Sequence, residues 1–282
     1  MTPAVRTELA GEIVQVTAAS ERRVCATLTW PRTSVRYARK RASDEATRAT
    51  LRKLAAANPR FGYRRLQVML RRESIRLSRG TVLRLCREEK LSVHRKRKVT
   101  QPKEIVRSQT PPPERPNQGW ALDFTHEQLA SGERFRILTV VDMFTREVVV
   151  TQAAASFKAD DVRAVLRSAI ALRDASPTWL RSDNGSAFIA ELSAEFLRVK
   201  GIEHKRSRPG KPTGNPMIES FHSRFRDELL DRTLFDSVAD ANDQLSRFQH
   251  YYNHVRPHSG IRYLTPAEFQ ARHLSPPSHV AQ

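Results

Sequence analysis

Three acidic residues stand where a carboxylate has a chemical reason to be. Asp123 lies in the middle of a predicted strand, with Leu122 and Phe124 on the opposite face. Asp183 follows a short predicted strand, and Glu219 lies in the first turn of a predicted helix. A carboxylate in an otherwise apolar strand is costly unless a cation satisfies it. If the three acids meet at one edge of a sheet, they can hold two hard divalent cations about 3.5–4 Å apart, an arrangement that supports phosphoryl transfer.

Each of these acids also has a purely structural explanation. Asp123 fits an exposed position on an edge strand, and Asp183, which precedes Asn184-Gly185, fits a turn. Glu219 fits the N-terminal turn of a helix, where the helix dipole favours a negative charge. Taken one at a time, the residues therefore leave a metal site and a structural role both open.

The elements that must position these acids belong to a sheet with helices on its faces. The pattern predicts strands at WALDFTHEQL, RFRILTVVDMF and EVVVTQ and over 178–182 and 203–207. It predicts helices over 157–175, 186–200, 217–230 and 238–255, the first with Val162, Val165, Leu166, Ala169 and Leu172 facing inward. Three antiparallel strands followed by alternating helices and strands predict an α/β core with a mixed five-stranded sheet and flanking helices.

Positive charge is concentrated in the first part of the chain. Of the formal net charge of +19, residues 1–119 carry +18 and residues 120–282 carry +1. This excess predicts a polyanionic partner, and nucleic acid is the simplest one, with a solvated basic face as the alternative. A membrane surface is disfavoured, because no amphipathic helix combines Lys and Arg with Trp and Leu.

Two small all-α modules make up this basic part. In residues 1–42, helices over 21–28 and 32–40 flank Trp30-Pro31, which predicts a helix-turn-helix. In residues 43–98, helices over 44–57, from Tyr63 onward and over 79–90 predict a second DNA-binding module that ends in a basic arm. The predicted DNA contacts are Arg36, Arg39, Arg64, Arg65, Arg84, Arg95, Lys96, Arg97 and Lys98.

Proline and glycine mark the boundaries between the predicted parts. Residues 99–118 hold five prolines and predict a linker, residues 119–235 the catalytic core, and residues 236–282 a C-terminal helical extension. The irregular segment RPGKPTGNP precedes Glu219, and its Arg208 and Lys211 are predicted to contact DNA phosphates, with plain surface charge as the alternative.

Composition excludes several classes of protein. The 12 Phe and 3 Trp provide apolar surface to bury, which argues against disorder throughout. No window approaches the roughly 18 apolar residues of a membrane span. No secretory signal is visible, so we expect a cytoplasmic protein. Cys25 and Cys86 cannot form a disulfide scaffold, and with His94 as the only histidine before residue 120 they cannot form a zinc site.

The motifs around the three acids resemble one family. Between Asp183 and Glu219 lie 35 residues, which is the D-D-35-E spacing of that family. The chain from about residue 20 to 270 resembles the retroviral-integrase-like DDE transposases, and more narrowly the OrfB products of the IS-three group of bacterial insertion sequences. The similar segments are WALDFTHEQL, ERFRILTVVDMFTRE, LRSDNGSAF, RPGKPTGNPMIESFHSRFRDELL, YYNHVRPHSGIRYLTPAEF, FGYRRLQVMLRRE, LCREEKL and RKRK.

The resemblance implies an RNase H-like core in which Asp123, Asp183 and Glu219 bind two Mg²⁺ ions, for which Mn²⁺ can substitute. It implies that a phosphodiester at the end of a mobile element is hydrolysed and that the freed 3′-OH attacks a second phosphodiester. The implied partners are double-stranded DNA, as terminal inverted repeats and as target, and further copies of the chain. OrfB products of this group are often active only when fused by frameshifting to OrfA, and this chain begins without an OrfA leucine-zipper region. An OrfA partner or a frameshift fusion is therefore one possibility, and action alone is the other. The expected location is the bacterial cytoplasm, at the nucleoid.

The chain departs from the family pattern at two positions beside the implied site. Gly214 stands where the family usually has Glu, and His222 stands where it usually has Asn. We predict that His222 and Arg226 contact DNA, with a solvated surface histidine as the alternative at position 222. Asp142 matches an acid that has no metal role in the family, so we expect it to be structural.

Two further sets of residues have structural expectations. His254, Arg256 and His258 suggest a metal site, but Pro257 prevents the two histidines from sharing a helix face, so structural hydrogen bonding is favoured. Trp120 and Trp179 are expected in the core.

Two functions from other classes compete with a transposing enzyme. One is a DNA-binding regulator whose catalytic domain is inert, and the intact acid triad argues against it. The other is a nuclease acting on RNA–DNA hybrids, and the two basic helical modules argue against that.

Overall fold

The computed structural model describes residues 3–36, 44–91, 111–182, 191–206 and 216–274. The chain divides into two compact units, Met1–Thr50 and Leu51–Gln282. No helix among the described residues is long and apolar enough to cross a membrane.

The first unit is a small helical cluster. It contains α1 (Pro3–Thr17), α2 (Glu21–Thr27) and α3 (Arg32–Val35). The hydroxyl of Ser20 caps α2 by accepting a hydrogen bond from the Arg23 amide, and the core consists of Ala10, Val24, Cys25 and Val35. The α2 prediction is confirmed, whereas α1 was not predicted. The helix predicted over 32–40 ends at Val35, and residues 37–40 lie outside the described residues.

A helical module, residues 51–91, opens the second unit. It contains the second half of α4 (Glu45–Ala57), then α5 (Tyr63–Arg72) and α6 (Arg79–Glu88). The module has a buried apolar core and also packs against two residues from the far end of the chain, Tyr251 and Val255. The buried residues of this core are Leu51, Leu54, Phe61, Leu66, Met69, Leu70, Val82, Leu85 and Cys86.

A five-stranded mixed sheet forms the centre of the second unit. Its strands are β1 (Gly119–Gln128), β2 (Arg134–Asp142), β3 (Val148–Ala154), β4 (Trp179–Ser182) and β5 (Glu203–Arg206). They lie in the order β3-β2-β1-β4-β5. Strands β1, β2 and β3 pair antiparallel, and β4 is parallel to both β1 and β5, as the sequence predicts.

Helices cover both faces of the sheet. On one face α7 (Ala159–Arg173) and α8 (Glu191–Val199) pack over Trp120 and Leu122. On the other face α9 (Pro216–Glu228) and α10 (Val238–His254) pack over Ala121 and Trp179. Both tryptophans are buried as expected, but the prediction for Leu172 is wrong, because its side chain lies at the end of α7 and is 85% exposed.

The C-terminal extension completes this fold. Strand β3 is an edge strand, and the side-chain amides of Asn242, Gln249 and Asn253 on α10 hydrogen-bond to its backbone. Such bonds satisfy groups that an exposed edge would offer to another strand. The chain then runs through a short 3₁₀ turn at Ser259–Ile261 to α11 (Pro266–Leu274).

Candidate functional site

Asp123 lies on the sheet face that α9 covers. Alternation along β1 places it on the same side as the buried Ala121, and its cross-strand neighbour on β2 is Thr139. Its side chain is 26% exposed, and its Oδ1 accepts a hydrogen bond from the Phe124 amide at 2.8 Å. A rigid central strand therefore holds a partly buried carboxylate under a helix.

Helix α9 brings two further predicted residues to this carboxylate. It begins at Pro216, a residue type that suits a helix start because the first amides have no partner within the helix. Ile218, Phe221 and Phe225 form the predicted apolar stripe against the sheet. Glu219 is exposed in the first turn, and one turn later the Nδ1 of His222 lies 3.4 Å from Oδ2 of Asp123.

The His222 ring is neutral at this position. Burial, and then the charge of Arg226, lower the pKa of His222 to about 4. Its Nε2 is buried and has no hydrogen-bond partner among the described residues. The carboxylates of Asp123 and Glu219 are oxygen donors of the kind that hard divalent cations bind, whereas an imidazole nitrogen suits softer metals. The two acids therefore suit part of a Mg²⁺ site, and His222 is a neutral neighbour of Asp123.

The far end of the same helix is held by an ion pair. Nη1 of Arg226 lies 2.8 Å from Oε1 of Glu127 on β1, and its Nη2 donates to the His126 carbonyl at 3.4 Å. Burial raises the pKa of Glu127, and Arg226 opposes that shift. Arg226 thus fastens α9 to β1, while half of its side chain stays exposed; its contact with DNA stays a prediction.

Part of the predicted site lies outside the described residues. Asp183 follows the last described residue of β4, and Arg208, Lys211 and Gly214 precede α9. Within the described ranges, no three His, Cys, Asp or Glu side chains are grouped so that they could hold a metal ion. Of the predicted triad the structure therefore brings Asp123 and Glu219 to the same side of α9, and the third acid stays a prediction.

Asp142 is structural, as expected. It is fully buried, and its two carboxylate oxygens accept hydrogen bonds from the amides of Asn117, Phe144 and Thr145 at 2.7–2.8 Å. These bonds build the turn between β2 and β3 and leave Asp142 no role at the Asp123 site.

The predicted DNA-contacting arginines have varied surroundings. Arg36 pairs with Glu21 at 2.7 Å and Arg84 with Glu88 at 2.9 Å, both on the surface. Arg64 is exposed beside Tyr63, whereas Arg65 is half-buried over the Phe61 ring. Arg39 and the arm Arg95, Lys96, Arg97 and Lys98 lie outside the described residues.

Arg256 and Glu228 form a buried ion pair, of which the sequence pointed only to the arginine. Nε and Nη2 of Arg256 lie 2.6 and 2.7 Å from the carboxylate oxygens of Glu228, at the end of α9, and Arg256 is 1% exposed. His258 is buried beside Arg256, so structural bonding is confirmed for these two residues. It is wrong for His254, which is exposed and stacks on His250. The only sequence signal for Glu228 was its place on the face of α9 away from Glu219.

Family models match most of the chain. Two models described as integrase core domains match residues 113–212 and 200–266, and one described as an HTH-like domain matches residues 42–99. These matches and the observed sheet confirm the RNase H-like core and the helix-turn-helix region that the sequence predicts.

Relatives from insertion elements cover nearly the whole chain. The insertion element IS407 uncharacterized 31.7 kDa protein of Burkholderia multivorans is 37% identical over 255 residues, which are 90% of this chain and 91% of the relative. The insertion element IS476 uncharacterized 39.2 kDa protein of Xanthomonas euvesicatoria is 35% identical over 97% of this chain and 79% of its own length. Transposase InsD for insertion element IS2D of Escherichia coli is 29% identical over 75% of this chain and 73% of its own. This chain therefore belongs to the retroviral-integrase-like DDE transposases, in the OrfB type of the IS-three group of bacterial insertion sequences.

Proposed function

We propose that this transposase cleaves and joins DNA strands at the ends of its insertion sequence with two Mg²⁺ ions held by Asp123, Asp183 and Glu219, and that Mn²⁺ can substitute. The observation that carries the proposal is the Asp123 carboxylate beneath α9, with the exposed Glu219 on the same side of that helix. Parallel pairing of β1 and β4 supports the third ligand, because Asp183 directly follows β4.

The chemistry requires no covalent link between protein and DNA. Water breaks one phosphodiester at the element end and leaves a 3′-OH, and that hydroxyl then displaces a 3′ oxygen from a target phosphodiester. Bound divalent ions would activate the attacking oxygen and stabilise the leaving one. The protein's own part is to hold the carboxylates in place, and the strand position of Asp123 and its neighbour His222 do so.

We also propose the partners of this reaction. The substrates are double-stranded terminal inverted repeats and target DNA, which the HTH-like region and the positive charge of residues 1–119 suit. Several copies of the chain act together on the DNA, with OrfA as a separate partner or fused by frameshifting. The reaction takes place in the bacterial cytoplasm, at the nucleoid.

Alanine substitution of each acid tests the proposal. Asp123→Ala, Asp183→Ala and Glu219→Ala should each abolish Mg²⁺-dependent cleavage and joining of element-end DNA, while binding of the same DNA persists. Asp243→Ala, at an exposed position of α10, is the matched control and should cleave normally. Near-normal cleavage by any one of the three variants would remove that residue from the metal site. Cleavage by none of the proteins, with DNA binding intact, would favour the DNA-binding regulator.

A further inference from the structure

A cavity of about 180 Å³ lies beside α9, on the side away from Glu219. Arg65, Arg146, Arg224 and Arg256 line it, and they come from four separate segments of the second unit. Arg224 follows Glu219 by five positions, which is about 140° around a helix. The cavity is therefore distinct from the candidate metal site.

The charge in this cavity is not balanced by the protein. Arg256 is neutralised by Glu228, but in the part of the chain that the structure describes no carboxylate forms an ion pair with Arg65, Arg146 or Arg224. Among the described residues that line the cavity, none is acidic. Burial, and then the charge of Arg256, lower the pKa of Arg65 to about 10. Like charges gathered in a partly buried space destabilise the fold unless an anion joins them.

The fold holds these cations in place despite their repulsion. Arg146 has a left-handed backbone conformation, with φ of +68°, in the turn that Asp142 builds. Its Nη1 contacts the sulfur of Met217, and its Nε is buried without a hydrogen-bond partner among the described residues. Arg65 is packed over Phe61, with its guanidinium 5.2 Å from the ring centre. The cavity is thus lined by arginine side chains held in place by the fold, and the buried Nε of Arg146 is a donor without a partner among the described residues.

The cavity continues into a longer positive seam. It shares Arg65 and Ser259 with a cavity of about 480 Å³, which in turn shares Arg64 and Tyr263 with one of about 640 Å³. All three lie between the helical module and the C-terminal extension. The third is lined by further arginines, including Arg71, Arg79 and Arg262, and by a single acid, Glu268, which already pairs with Arg72.

We propose that this seam is a phosphate track that carries the backbone of DNA from the helical module to α9, with Arg65, Arg146 and Arg224 binding one phosphate in the enclosed cavity. The proposal rests on the proposed function in taking DNA as the ligand. A free phosphate ion has the same chemistry, but one ion fills only the first cavity. A chain of phosphates matches the succession of three cavities, and each phosphate neutralised by Arg releases a counterion.

Salt dependence of DNA binding by the full-length protein tests the track. Binding of a short mixed-sequence duplex is followed by fluorescence anisotropy in EDTA at several salt concentrations. Arg224 is at an exposed helix position, and Arg224→Ala should reduce the slope of log affinity against log salt by up to about 1, because it weakens or removes one phosphate contact. Arg262→Ala should do the same. Arg167→Ala, an exposed arginine of α7 on the other face of the sheet, should leave the slope unchanged.

Thermal unfolding without DNA is a second measurement, and it distinguishes an arginine that binds a ligand from one that stabilises the fold. Arg224→Ala should raise the melting temperature at low salt, because it relieves repulsion, and Arg167→Ala should not. Unchanged salt slopes in both track variants would overturn the track. Unchanged slopes together with an Arg224-dependent stabilisation by inorganic phosphate would show that the cavity binds a free ion instead of DNA. Because no metal is present, the outcome is independent of whether the Asp123 site cleaves DNA.

Discussion

The two sides of α9 differ in charge and in how that charge is satisfied. On one side are Asp123, Glu219 and the neutral His222, and the cation of α9 on that side, Arg226, is paired with Glu127. On the other side Arg224 joins arginines from three other segments around a cavity without an acidic lining. One helix thus separates a place suited to a cation from a place suited to a phosphate.

This separation would let the protein keep acidic side chains available for metal ions and arginines available for DNA phosphates. Acids and arginines at close range would pair with one another, and neither would remain for the ligand. The apolar stripe of Ile218, Phe221 and Phe225 fixes the orientation of α9 on the sheet, so the acidic and basic sides cannot exchange. The comparison predicts distinct results for changes on each side.

Removing the carboxylate that pairs with Arg256 should have the largest effect on stability. Glu228→Ala leaves the buried Arg256 without its partner among other arginines, which costs about 3–5 kcal/mol for a buried pair. Denaturant unfolding measures the loss. Asp227→Ala, beside it but in a surface pair with Arg60 3.5 Å long, should cost less than about 1 kcal/mol. Equal losses in the two variants would mean that the basic side tolerates another unpaired cation.

Asp142→Asn tests whether Asp142, the buried acid at the end of β2, also takes part in the Asp123 metal site. The amide cannot accept all three hydrogen bonds, so at least one buried N–H loses its partner, at a cost of about 1–3 kcal/mol. Below its unfolding temperature the variant should still cleave DNA. Loss of cleavage in a folded Asp142→Asn protein would assign this acid to the metal site as well.

Low pH should lower the stability of the folded protein through His258, which lies on the basic side of α9. Burial and the neighbouring Arg256 lower the pKa of His258 to about 2, so below roughly pH 6.5 the unfolded chain binds a proton that the folded chain does not. The stability that His258 contributes is therefore full above that pH and is lost as pH falls, by about 2 kcal/mol at pH 5, and His222, with a pKa of about 4, adds a loss of similar size. Urea unfolding at pH 5 and at a pH well above 6.5 measures this loss of stability. His258→Asn should reduce the loss, whereas the exposed His250→Asn should not; an identical pH dependence in all three proteins would contradict the assignment.

Arg226→Ala should have the smallest effect. Its pair with Glu127 is half exposed on the arginine side, so the free energy of unfolding should fall by less than about 1 kcal/mol. A loss several times larger would show that this pair, and not the apolar stripe, orients the acidic side of α9.

The sequence predicted the parts of this structure that periodicity reports. Alternation along β1 placed Asp123 opposite Leu122 and Phe124, which is confirmed. Periodicity failed at the end of α7, where Leu172 keeps the helical spacing but extends past the sheet and is exposed.

The remaining features depend on contacts between distant parts of the chain. Arg256 and Glu228 are 28 positions apart, and the bonds between Asn253 and Val148 span 105. No local pattern marks such pairs. Arg65 was predicted to contact DNA, but nothing in the sequence indicated that Arg146 and Arg224 lie beside it in one cavity. The helical module likewise looked self-sufficient in sequence, although Tyr251 and Val255 complete its core. We therefore expect DNA binding to need both ends of the second unit.

One titration tests most directly the division of labour across α9. Single-turnover cleavage of element-end DNA in Mg²⁺ is measured against protein concentration for the wild type, Glu219→Gln and Arg224→Ala. Glu219→Gln should lower the plateau rate by at least about 10³-fold, as loss of a metal ligand does, and leave the half-saturating concentration unchanged. Arg224→Ala should raise the half-saturating concentration. A Glu219→Gln protein that keeps its plateau rate and binds DNA more weakly would contradict the account.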